Sequence, residues 1–97
     1  MAFDPGAISS NLAAAVGDEP TLIAELKLAF TESAERILAS LQTAEDRESW
    51  NAAAARLKGL SASFGAVKLM ALAEQAQAAG RPDPVTLRKI RHAVRRL

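Results

Sequence analysis

Apolar positions along the 97-residue chain recur at helical steps, and aspartate, proline and glycine mark the breaks between the runs. Asp4-Pro5 supplies an N-cap followed by proline at the first helical position, and Ile8, Leu12 and Val16 share a face before Gly17. This predicts a short N-terminal helix. Asp18-Glu19-Pro20 then opens a long run in which Ile23, Leu26, Phe30, Ile37 and Leu41 repeat at steps of three, four or seven, predicting a second helix to about Gln42. Glu45, Asp46, Arg47 and Glu48 form a polar turn and the first turn of a third helix, which carries Trp50 and runs to about Phe64. Gly65 ends or bends it. From Ala66 to Ala79 the pattern turns Val67, Leu69, Met70, Leu72 and Ala73 inward, and Gly80 suits the position just past a helix end. Arg81-Pro82-Asp83-Pro84 is the clearest loop. Beyond it Leu87, Ile90, Val94 and Leu97 make the apolar stripe of a last helix, with Asp83 as N-cap and Pro84 at its first position.

Four substantial helices joined by short connections fit an all-α, up-and-down antiparallel four-helix bundle with a short additional N-terminal helix, and residues 1–97 suffice for one such domain. Composition points the same way. Alanine is abundant, tyrosine is absent and only 4% of residues are aromatic, which disfavours strands. Without cysteine there is neither a disulfide framework nor a thiolate metal site, and the one histidine, His92, gives no nitrogen-and-sulfur metal cluster. No cofactor is implied. Catalytic motifs are missing as well: no paired carboxylates with a supporting histidine, no phosphate-binding glycine loop and no nucleophile motif. The chain contains no apolar run of membrane-spanning length, and its first residues lack a signal-peptide pattern, so a cytoplasmic location is expected.

Charge is unevenly placed. Residues 1–80 hold six Lys/Arg against ten Asp/Glu, and residues 81–97 hold six against one. Arg88, Lys89, Arg91, Arg95 and Arg96 either complement the dipole of the last helix and keep it soluble, or touch phosphates or an acidic partner. No helix-turn-helix pattern or aromatic-interleaved basic surface supports specific nucleic-acid binding.

The third predicted helix is the informative one. Projected at 100° per residue, Trp50, Ala53, Ala54, Leu60, Ser61 and Phe64 fall within about 60° of Leu57 and form its buried face. On the far side Gly59 and Ala62 fall within about 40° of Ala55, with Lys58 beside them and Arg56 further round. Exposed helix positions ordinarily carry long polar side chains, and a mid-helix glycine costs about 1 kcal/mol against alanine. Such a smooth strip admits a partner backbone at close range; alternatively it reflects alanine abundance and an intramolecular packing contact.

The stretch Ala55-Arg56-Leu57-Lys58-Gly59-Leu60-Ser61-Ala62-Ser63-Phe64-Gly65 resembles the signature of histidine-phosphotransfer (HPt) domains, H-x-L-K-G-x-x-x-x-x-G. Leu57, Lys58, Gly59 and Gly65 match at the family's spacing. The likeness extends over nearly the whole chain, through the Gly17-Asp18-Glu19-Pro20 opening of the long helix and the acidic turn before Trp50. It implies a phosphorelay module that docks receiver domains of response regulators, hybrid histidine kinases, or both, through Ala55, Arg56, Lys58, Gly59, Ala62 and Lys68. Lys58 would face the phosphate, while the acyl-phosphate chemistry and Mg²⁺ belong to the receiver.

One position departs from the pattern. The family's phosphoacceptor histidine falls at Ala55, and a methyl group accepts no phosphate. His92 lies about 200° from Ile90 on the last helix, facing solvent, and nothing around it resembles the signature. Two readings of Ala55 stay open: an engineered His→Ala form of an active domain, or a natural pseudo-HPt domain that binds receivers or kinases without carrying phosphate. A different class of function is also open, that of a helical adaptor binding an acidic partner through its basic C-terminal helix.

Overall fold

The computed structural model describes residues 19–97; the short helix expected over residues 4–17 lies outside them. Pro20 occupies the first turn of α1 (Pro20–Thr43), where its missing N–H has no intrahelical partner to lose. This helix buries Phe30, Ala34, Ile37, Leu38 and Leu41 and half-buries Ile23 and Leu26. Asp46 caps α2 (Arg47–Phe64) by accepting a 2.7 Å hydrogen bond from the Ser49 N–H, satisfying one of the donors left free at a helix start. Gly65 stops α2 at φ 68°, a conformation that glycine adopts without steric cost. The Gly65 N–H bonds the Ala62 carbonyl and the Ala66 N–H bonds the Ser61 carbonyl, the paired bonds of a Schellman motif.

α3 (Val67–Ala79) buries Leu69, Leu72, Ala73 and Ala76 and ends at Gly80, again at φ 68°. Two inward assignments need correction. Val67 is 69% exposed and Met70 only half-buried, because at 100° per residue they stand about 200° and 100° from Leu69, off the face that Leu69, Leu72, Ala73 and Ala76 bury. α4 (Pro84–Arg95) buries Thr86, Ile90, Ala93 and Val94, with Leu87 and Leu97 packed partly against the core. Asp83 stands at its N-cap position, but its carboxylate accepts from the Thr86 hydroxyl in place of a helix N–H.

Each helix packs on two others: α2 on α1 and α3, and α4 on α3 and α1, so the four close a ring around one core. Its centre is Trp50, Leu57, Leu69 and Ile90, all fully buried. Burying each large aliphatic side chain contributes about 1.5–3 kcal/mol. Polar fixation comes from the indole N–H of Trp50, which donates to the Ala76 carbonyl at 2.9 Å and ties α2 to α3. At the far end of α2 the rings of Phe30 and Phe64 meet with centroids 4.9 Å apart. The described residues contain no strand, and none of their helices is long and apolar enough to cross a membrane.

Candidate functional site

With Asp46 fixing the start of α2 and Gly65 its end, the buried side of this helix is anchored by Trp50, Ala53, Ala54, Leu57 and Ser61. The opposite side is therefore turned out. Ala55, Gly59 and Ala62 are all exposed there, and a Cβ built on Gly59 would meet, beyond its chain neighbours and the backbone of its own helical turns, no atom of the described residues within 4 Å. Gly59 consequently makes no helix-packing contact among the described residues, and none of them requires a glycine at that position. Its carbonyl accepts a 3.0 Å hydrogen bond from the Ser63 hydroxyl.

Two cations border the strip. Lys58 is half-exposed, and its ammonium lies 3.6 Å from Glu74 of α3. Such an exposed pair is weak and screened by salt, so Lys58 remains available to an incoming anion. Arg56 points along the α1–α2 seam, where its guanidinium donates to the Ser40 hydroxyl at 3.1 Å and lines a shallow pocket with Thr43, Ser49 and Ala52. Lys68 is exposed at the start of α3 and faces a groove shared with α4. The structure thus gathers Ala55, Lys58, Gly59 and Ala62 on one face of α2, sets Arg56 at its α1 edge, and places Lys68 among the cations of α4. Leu57, fully buried under the strip, holds the helix down, and Gly65 ends it.

Glu74 and Ser40 escaped the sequence reading. Both act across helix boundaries, and only a known register between neighbouring helices would have paired them with Lys58 and Arg56. His92 is exposed on α4, its Nε2 3.5 Å from the Arg96 guanidinium.

The described residues thus form a helical bundle with a smooth exposed strip and a flanking cation midway along one helix. The family model described as the Hpt domain matches residues 20–97, all four described helices, and the chain belongs to this family. At the family level this makes it a histidine-phosphotransfer module of two-component phosphorelays, a phosphocarrier class and not a class of enzymes. No curated protein and no solved structure matches the chain.

Proposed function

We propose that residues 1–97 form one phosphorelay docking module that binds receiver domains through the exposed face of α2 and, with alanine at position 55, relays no phosphate. The observation that carries this reading is Gly59: it is exposed, spatially empty around its α-carbon, and one turn from Ala55. A glycine there lets a partner's loops come within reach of the helix backbone. Ala55 and Ala62 extend the smooth surface, Arg56 and Lys58 act as rim charges, and Lys68 adds a more distant one; such charges set orientation and association rate more than affinity. Lys58 offsets charge on a phosphorylated receiver aspartate, while Ala55 supplies no nucleophile to take the phosphoryl group. Both origins of Ala55, engineered or natural, give this behaviour.

The closed ring of helix contacts and the short links around Gly65 and Gly80 support an antiparallel up-and-down order. With receivers or hybrid kinases as partners, the module works in the cytoplasm.

Titration with receiver domains tests the docking face. Gly59→Leu lowers receiver affinity tenfold or more while leaving the far-ultraviolet circular dichroism unchanged. Equal binding by the two proteins would remove α2 as the docking surface.

A further inference from the structure

A second surface lies between α3 and α4. An open groove of about 360 Å³ is lined by Lys68 and Leu72 of α3 and by Arg88, Lys89, His92, Ala93 and Arg96 of α4. Its floor is apolar, from Leu72 and Ala93, which are both buried in the core. Its rim carries four permanent cations and an imidazole, and no carboxylate among the described residues.

The spacing of these groups has a direction. Arg88, His92 and Arg96 are separated by four residues each, forming a row about 12 Å long parallel to the α4 axis. Lys89 and Ala93 repeat the same step one position round, as do Lys68 and Leu72 on α3. Each of these two ladders begins with a cation at the rim and steps to an apolar side chain on the floor.

We propose that this groove docks an acidic amphipathic helix of a partner protein. A helix laid along it presents carboxylates at four-residue intervals to Arg88, His92 and Arg96, and turns its apolar side chains onto Leu72 and Ala93. Charge complementarity selects an acidic occupant, and the length and periodicity of the row select a helix over a compact anion. Nucleic acid is disfavoured because, among the described residues, the groove's one flat ring is the His92 imidazole, with no phenylalanine, tyrosine or tryptophan to build a stacking platform, and its floor is aliphatic. The groove shares only Lys68 with the residues proposed for receiver docking, and the proposal does not depend on receiver docking at α2.

A labelled synthetic helix of leucine, alanine and glutamate, with glutamates every four residues on one flank, is the probe. Anisotropy titration at fixed ionic strength is run beside a scrambled peptide of equal composition, duplex DNA and anionic phospholipid vesicles. The amphipathic peptide binds at least tenfold tighter than the scrambled one, and the Lys68→Glu, Arg88→Glu, Arg96→Glu triple variant loses at least tenfold in affinity with its helicity intact. Because His92 is the chain's single histidine, its imidazole proton resonances move on peptide binding, whereas Gly59→Leu leaves the peptide affinity unchanged. Equal binding of the scrambled peptide, insensitivity to the triple variant, an unmoved His92 resonance, or preferential binding of DNA or vesicles would overturn the proposal.

Discussion

Lys58 and Glu74 meet across the α2–α3 boundary at 3.6 Å, and Lys58 is the cation nearest in sequence to the exposed Ala55–Gly59 strip on its α3 side. With side chains 44% and 53% exposed, the pair holds Lys58 loosely beside the strip. Glu74→Gln therefore changes unfolding free energy by less than about 0.5 kcal/mol in urea titration. In an Ala55→His background, Lys58→Gln slows phosphoryl acceptance from a phosphorylated receiver by roughly tenfold or more, and Glu74→Gln does not slow it. Equal rates for the parent and Lys58→Gln would deny Lys58 its phosphate-facing role.

Two glycine-to-alanine changes separate surface function from backbone conformation. Gly59 has helical backbone and free space around it, so Gly59→Ala raises stability by about 1 kcal/mol. At Gly65 the φ of 68° opposes any side chain, and Gly65→Ala costs about 1–2 kcal/mol. Thermal or urea unfolding of the two variants gives shifts of opposite sign; the same sign for both would contradict the assignment of Gly59 to docking and Gly65 to helix termination.

Ser61 is fully buried, and its hydroxyl has no hydrogen-bond partner among the described residues. A buried unpaired hydroxyl opposes folding, so Ser61→Ala stabilises the protein by about 1 kcal/mol, read from the urea midpoint at unchanged slope. Destabilisation by that variant would show that the hydroxyl is satisfied.

Acid weakens two helix starts. Asp46 is held below the usual carboxylate range by the Ser49 backbone N–H, aided by the Ser49 side chain, and Asp83 by the Thr86 hydroxyl. A carboxylate with a lowered native value stabilises the fold fully above its unfolded value and loses that contribution as pH falls through the native value. Stability accordingly falls on acidification below the ordinary carboxylate range. Asp46→Asn and Thr86→Val each make that fall shallower, measured as urea midpoints across an acid series; parallel profiles for parent and variants would contradict the cause given.

The helix boundaries were legible because they rest on local chemistry. Proline at Pro20 and Pro84, the Asp46 cap, and the glycines Gly65 and Gly80 all act within a few residues of themselves. The large apolar stripes followed from periodicity. Ala53, Ala54, Ser61 and Ala73 followed in the same way, but other small and polar core members did not: Ala34, Ala76, Ala93 and Thr86 are buried through the closeness of neighbouring helices, which a one-helix projection does not contain. Val67 is apolar but stands about 200° from Leu69 on the same helix, so side-chain character alone misplaces it. On the candidate site, the exposed α2 face was readable from helical geometry and the family motif. The Glu74 partner of Lys58 and the association of Lys68 with the α4 cations are tertiary facts with no local signal.

On the proposed function, the chain keeps the framework of a phosphotransfer module and lacks only its reactive nitrogen. The most direct measurement is incubation of a receiver labelled at its aspartyl phosphate with the unaltered chain and with the Ala55→His variant, followed by detection of acid-labile label on each. The unaltered chain stays unlabelled and Ala55→His becomes labelled. Label on the unaltered chain, or none on a folded Ala55→His variant that still binds the receiver, would contradict the proposed function.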